Sequence, residues 1–261
     1  MKEAWFENLD NKIIGRRVLC FPRVTSTNDL AWLEISRGAS EGTVIFADEQ
    51  LKGRGRFGRA WFSPPGKGIW ASVVLKPKLT PSQMPLMMVI GAIALTELIR
   101  NELDLPALIR WPNDVMINNK KVGGIIVETK YLDETSPSMV LGVGFDVNIT
   151  SDEILPELKQ EMTSLMIEKG ETIDLHNLAR LFLCYLDVWY QKILTGDYAS
   201  ISARWRNLSA LIGKRVRLQE KTNYFEGKVT DLDPCAGISL ELGSGEVKTF
   251  RGENVELLRM L

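Results

Sequence analysis

The residues with the clearest chemical potential lie in one sixteen-residue stretch that holds Lys52, Arg54, Arg56, Arg59 and Lys67 and contains no acid. Within it, Gly53-Arg54-Gly55-Arg56-Phe57-Gly58-Arg59 alternates arginine with glycine. Glycine lets the backbone come close to a ligand. A guanidinium offers a planar, permanently charged fork that matches phosphate or carboxylate oxygens. Trp61 and Phe62 follow at once, so the chemistry implied is the covering of an anionic, partly apolar ligand. The plain alternative is a solvated basic loop. The letters also fit G-x-G-x-x-G, but a dinucleotide fingerprint needs its last glycine to open a helix facing the pyrophosphate. Here Pro64-Pro65 forbids that helix. No G-K-[ST] closes a phosphate loop, and no HRD or DFG follows as a kinase loop requires.

Other chemistries are excluded by what the chain lacks. His176 is the sole histidine, which removes Ser-His-Asp, Cys-His and HExxH catalysis together. Cys20, Cys184 and Cys235 are far apart and form no CxxC pair, against a disulfide framework or structural zinc and in keeping with a reducing compartment. A formal net charge of −1 gives the whole molecule no electrostatic reason to seek nucleic acid or an anionic membrane. The first residues lack an apolar signal core. The longest apolar stretch, Leu86 to Leu95, is half the roughly 20 residues a bilayer span needs, so it reads as a core helix. A cytoplasmic protein is expected.

The elements that must position these residues are legible in the pattern. Strands are expected at Arg17–Phe21, Thr43–Ala47 and Gly68–Leu75. Between the first two, Thr25-Ser26-Thr27-Asn28-Asp29 caps a helix through Leu30, Leu33 and Ile35. Residues 50–67 form a long surface loop. A buried helix over 82–102 precedes strands at Leu108–Trp111, Val115–Ile117, Val122–Glu128 and Met139–Val147. Helices are expected at 152–160, 174–194 and 198–208. Beyond Ile212 short β-like runs with frequent turns predict a small antiparallel barrel, so the domains are placed at residues 1–209 and 210–261.

Four separated segments then make the chain resemble the biotin protein ligases. They are Ser26-Thr27-Asn28; Gln50 with Gly53 to Trp61 (GRGRFGRAW); Arg110 to Asp114 (RWPND) with Lys121 to Gly124 (KVGG); and Gly142 to Asn148 (GVGFDVN). The resemblance implies an α+β fold, a mixed β-sheet flanked by helices like that of class II synthetases, with a C-terminal SH3-like barrel. It implies that Ser26, Thr27, Asn28 and Gln50 hydrogen-bond the biotin ureido ring. Arg54, Gly55 and Arg56 would lie along the biotin carboxylate and phosphate. Lys121 would sit beside both, with Gly124 and Gly142 giving the ligand room. Arg59, Trp61, Asn113 and Asp146 would meet the nucleotide.

On that resemblance the substrates are biotin and ATP with Mg²⁺, and the partner is a biotin carboxyl carrier protein whose lysine receives biotin. No nucleic acid or membrane partner is implied, and a homodimer is compatible. Biotin's carboxylate is ionised at neutral pH, so its attack on the α-phosphorus needs no general base. The step needs cations that offset the repulsion of two anions, here Arg54, Arg56 and Lys121, each worth about 3–4 kcal/mol. Asp114 is the motif carboxylate nominated to assist the attacking lysine. Each segment taken alone has a bland reading: a helix cap, a turn at Pro112-Asn113-Asp114, a solvated Lys121, a bulge at Gly142 and Gly144.

Two positions depart from the family pattern: Arg110 stands where many members have lysine, and Asp146 where the segment usually carries asparagine. Only 25 residues precede Ser26, too few for the helix-turn-helix domain some members carry, so a monofunctional ligase is expected. The competing readings are a lipoate or octanoate protein ligase, a biotin-sensing module without turnover, and a DNA-binding repressor.

Overall fold

The computed structural model describes residues 1–131 and 137–261. Seven strands make the main sheet: β1 (Arg17–Phe21), β2 (Thr43–Ala47), β3 (Gly68–Leu75), β4 (Leu108–Arg110), β5 (Asp114–Ile117), β6 (Lys120–Tyr131) and β7 (Pro137–Asp146), in the order β1-β2-β3-β7-β6-β5-β4. β1 and β2 are parallel and every other pair is antiparallel, which makes the sheet mixed. The helices are α1 (Thr27–Ser36), α2 (Pro85–Leu103), α3 (Leu165–Lys169), α4 (Leu175–Leu194) and α5 (Tyr198–Ser209).

Successive strand side chains point to opposite faces, and that alternation decides where the site can be. Val44, Phe46, Ile69, Ala71, Val73, Leu75, Leu141, Val143 and Phe145 join one core with α2 and α4. Each fully buried large side chain there contributes about 1.5–3 kcal/mol. α2 is long and apolar enough to cross a membrane, yet 67% of its most apolar window is buried inside the protein, as expected of a core helix. A helix covers the opposite face only at one end, where Ile45, Val74 and Val140 pack on Ala31 and Ile35 of α1. The rest of that face carries Ser72 on β3 and Gly142, Gly144 and Asp146 on β7. The register of β6 on β7 adds Gly124, Ile126 and Glu128.

A second sheet follows α5: β8 (Arg215–Glu220), β9 (Asn223–Asp233), β10 (Gly237–Leu242), β11 (Val247–Phe250) and β12 (Val255–Met260), all antiparallel in the order β11-β10-β9-β8-β12. This is the SH3-like part of the expected fold. Its inward residues, among them Val216, Leu218, Ile238, Leu240 and Phe250, merge with the main core. Arg206 of α5 fastens it by donating to the Leu232 carbonyl at 2.6 Å and pairing with Asp231 at 2.9 Å.

Three elements differ from expectation. Residues 152–160 form turns and a single 3₁₀ turn, Pro156–Leu158, because Pro156 lacks an N–H and blocks a continuous helix. Ile154 instead tucks beside Ile149, Met162 and Phe62. The short α3 is new, capped by Ser164, whose Oγ accepts from the Ile167 N–H at 3.2 Å. β12 is new as well: its charged residues and a register shift near Val255 hide the alternation.

Candidate active site

All fifteen site residues expected from the sequence border a single cavity of ≈ 420 Å³ above the uncovered part of the main sheet. Its floor demands glycine. A Cβ on Gly142 would lie 2.4 Å from Asn28 Oδ1, and one on Gly144 would lie 2.7 Å from Trp61 Nε1. β7 runs in unbroken register with both neighbours there, so these glycines mark close approach and not a bulge. Gly142 admits the Asn28 amide; the added room belongs to Gly144 and Gly124, over which Trp61 lies.

At one end, the first turn of α1 is held from the outside. Ser26 occupies the N-cap position, yet its side chain makes no capping bond. Gln50 from the loop takes that part, its Oε1 accepting from the Thr27 N–H at 2.9 Å and from Thr27 Oγ1 at 3.1 Å. The helix-cap reading of Ser26 thereby fails, and its hydroxyl accepts instead from Arg54 Nη1 at 3.0 Å. The Ser72 hydroxyl lies 2.8 Å from Thr27 Oγ1 and 2.6 Å from Asn28 Oδ1. The Glu128 carboxylate accepts from Asn28 Nδ2 at 2.9 Å, from Trp32 Nε1 at 2.6 Å and from Arg54 Nε at 2.9 Å. Asp29 also pairs with Arg54, at 2.8 Å. Burial alone would raise the Glu128 pKa, but its bonds from Arg54, Asn28 and Trp32 outweigh burial and hold the carboxyl below its usual range.

Sequence reasoning missed Glu128 and Ser72. The signal was faint but present: on β6, Glu128 shares the face of Gly124 and Ile126 by the period of two.

The other end carries cations and unmatched polar atoms. Lys121 Nζ lies 2.5 Å from Asp114 and 4.7 Å from the centre of the Trp61 ring, so it is no free turn charge. Arg110 holds the second Asp114 oxygen at 2.6 Å. Burial would raise the Asp114 pKa, but Lys121 and Arg110 prevail and keep it low. Arg56 donates to Asn113 Oδ1 at 3.3 Å, to the Gly252 carbonyl, and to the Val255 carbonyl at 3.1 Å, joining the cavity to the second sheet. Burial lowers its pKa. Asn113 is buried and donates to the Ile125 carbonyl at 2.8 Å, which ties its turn to β6. Trp61 Nε1 and Asp146 Oδ1 are buried without a hydrogen-bond partner. Arg59 is exposed at the rim. His176 packs against Trp5 and does not border the cavity.

The chain is similar to proteins of known family. Residues 20–146 match the model of the biotin/lipoate A/B protein ligase family. The bifunctional ligase/repressor BirA of Bacillus spizizenii is 31% identical over 95% of this chain and 76% of its own length. The biotin–[acetyl-CoA-carboxylase] ligase of Mycobacterium tuberculosis is 29% identical over 96% of this chain and 94% of its own. The chain belongs to the biotin/lipoate A/B protein ligase family. Among solved structures, the biotin protein ligase from Aquifex aeolicus in complex with biotin and ATP superposes with a TM-score of 0.77, at 26% identity, over 94% of this chain and all of that one.

Proposed function

We infer that the protein activates biotin with ATP, forming biotinyl-5'-AMP, and transfers the biotin to a lysine of a biotin carboxyl carrier protein. The observation that carries this reading is the polarity of the cavity along its length. One end presents hydroxyl and amide groups in a fixed network, and the other presents cations and aromatic surface. A ureido ring has a carbonyl and two N–H groups to match the first end. A dithiolane or alkyl chain has none, so it would gain no hydrogen bond there and would only take these polar groups out of water. That favours biotin over lipoate or octanoate.

In the first step the biotin carboxylate oxygen attacks the α-phosphorus and the bond to pyrophosphate breaks. Ser26, Thr27, Asn28 and Gln50 hold the ureido ring. Lys121 and Arg56, with the backbone at Gly55, lie where the carboxylate and phosphate meet. Arg54 already balances two carboxylates, Glu128 and Asp29, so its side chain shapes the ureido end and lends less free charge than its position suggests. In the second step a neutral lysine amine attacks the acyl carbon, the bond to AMP breaks, and the amine proton passes to solvent. Asp114 does not suit a base: two cations hold its pKa low. Its role is to fix Lys121.

Mg²⁺ enters as part of the nucleotide substrate. Among the described residues no cluster of three metal-binding groups exists, and Asp114 is already paired twice, so the residues do not fit a protein-held ion. We take residues 1–209 as the catalytic domain and 210–261 as the SH3-like one. We place the enzyme in the cytoplasm, with a protein partner and neither nucleic acid nor membrane; a homodimer is compatible.

The test is transfer. Incubation with biotin, MgATP and a biotin carboxyl carrier domain should add one biotin to a single lysine by intact mass. The same domain with that lysine changed to arginine should stay unmodified. A carrier that remains unmodified under all conditions would contradict the proposal. Asp114→Asn should slow adenylate formation and leave transfer from preformed biotinyl-AMP nearly unchanged.

A further inference from the structure

Ser72 is fully buried on β3, opposite Gly142 of β7, and lies behind the cavity wall that Thr27 and Asn28 form. It stands in a row of four oxygens at the α1 end. Gln50 Oε1 lies 3.1 Å from Thr27 Oγ1, which lies 2.8 Å from Ser72 Oγ, which lies 2.6 Å from Asn28 Oδ1. Both ends of that row can only accept. Glu128 takes the Asn28 Nδ2 donor at 2.9 Å, which turns Oδ1 toward Ser72. Gln50 Oε1 accepts from the Thr27 N–H at 2.9 Å while its Nε2 donates to Ser63 Oγ at 3.1 Å, which fixes the other amide. Three oxygen contacts thus share two hydroxyl protons. The distances decide how. Ser72 donates across the shortest contact, to Asn28, and its lone pair takes the Thr27 proton, because Gln50 is already served by the Thr27 N–H.

We propose that Ser72 is a specificity-determining positioning residue: by accepting from Thr27 and donating to Asn28, it commits the Thr27 hydroxyl to act as an acceptor toward the cavity, so that this end admits ring N–H donors and rejects a ring oxygen in their place. This rests on the reading above that the ureido ring fills the α1 end. A threonine hydroxyl left to rotate serves a donor or an acceptor equally. With its proton held by a buried oxygen, it offers the ligand lone pairs alone. The Asn28 carbonyl oxygen beside it is an acceptor in any case, so the wall carries two acceptors in succession. A cyclic urea, with an N–H on each side of its carbonyl, matches such a wall. A cyclic carbamate, with one of those N–H groups replaced by oxygen, sets lone pair against lone pair. Removing the Ser72 hydroxyl releases the Thr27 proton, which is then free to turn to the ring oxygen. Ser72 thus acts through Thr27 and touches no substrate atom itself.

The experiment measures by competition calorimetry the Kd of biotin and of its two cyclic carbamate analogues, each with one ureido N–H replaced by oxygen. The proteins are the wild type, Ser72→Ala, Thr27→Val and the double variant. The wild type should favour biotin over the analogue whose oxygen meets Thr27 by on the order of a hundredfold. Ser72→Ala should narrow that ratio by about tenfold, since one lost relay bond is worth that much. A Ser72 that only fills space would weaken all three ligands alike and leave the ratio where it was. In Thr27→Val no hydroxyl remains to be oriented, so adding Ser72→Ala should not change the ratio further. Ratios unchanged by Ser72→Ala for both analogues, or narrowed equally with Thr27→Val already in place, would overturn the inference and leave the ligase reading intact. Failure of the wild type to bind biotin at all would overturn both.

Discussion

The two ends of the cavity are built on opposite principles. At the α1 end, Thr27, Asn28, Gln50, Ser72, Glu128 and Arg54 bond to one another in a closed network. At the Trp61 end, an indole N–H and a carboxyl oxygen have no partner, and Lys121 lies over an aromatic face. The groups of the first end hold one another in place, which limits the entropy lost on binding. The second has hydrogen-bonding capacity left over, which a ligand must use. Recognition of a neutral ring suits the rigid end. Charge stabilisation during phosphoryl transfer suits the end where cations meet unmatched groups.

That contrast can be broken or sharpened by substitution. The largest effect belongs to Lys121→Gln, which should lower the rate of adenylate formation about a hundred- to thousand-fold while changing biotin affinity far less, as stopped-flow and calorimetry would show. Equal loss in both would mean the two ends are not separate. Gly142→Ala attacks the rigid end alone. Its new methyl would force Asn28 Oδ1 from a 2.4 Å approach, costing about 1–3 kcal/mol of biotin binding with nucleotide binding spared.

Glu128→Gln is smaller, on the order of 1.5 kcal/mol in biotin affinity, and carries a pH signature. The Glu128 pKa is depressed by its partners. Its contribution to stability is therefore present above the unfolded value of about 4.3 and lost as pH falls through the folded one. The acid limb of the wild-type unfolding curve should flatten in the variant. The mildest expected change is protection of the loop 50–67 from proteolysis when biotin and nucleotide are bound, because only then are Trp61 and its neighbours fully matched. Equal cleavage with and without ligand would count against that.

Much of this was legible in the sequence, for identifiable reasons. β2 and β3 begin and end where their β-branched residues predict, and β1 where its short apolar run does, since all three are bounded by turn residues. The Arg-Gly loop and Trp61 stood out as cavity-lining residues because bulky apolar residues are rarely left in a solvated basic loop. Glu128 was only faintly legible: the period of two puts it on the face of Gly124 and Ile126, but it lies in an ordinary β strand and meets Asn28 and Trp32 only when β6 is registered against β7 beside α1. Asp114 was legible as a motif carboxylate, but its pairing with Arg110 and Lys121, which close on it from two strands, was not. The expected helix at 152–160 failed for a local reason, Pro156, that outweighs its apolar spacing.

The most direct measurement is acid-dependent adenylate formation. The protein is given α-labelled ATP and Mg²⁺ with biotin, lipoate or octanoate in separate reactions, and labelled acyl-AMP and pyrophosphate are followed. A rigid, polar ureido end joined to a cationic phosphate end predicts labelled adenylate with biotin alone. Adenylate from lipoate or octanoate in preference to biotin, or from no acid at all, would contradict it.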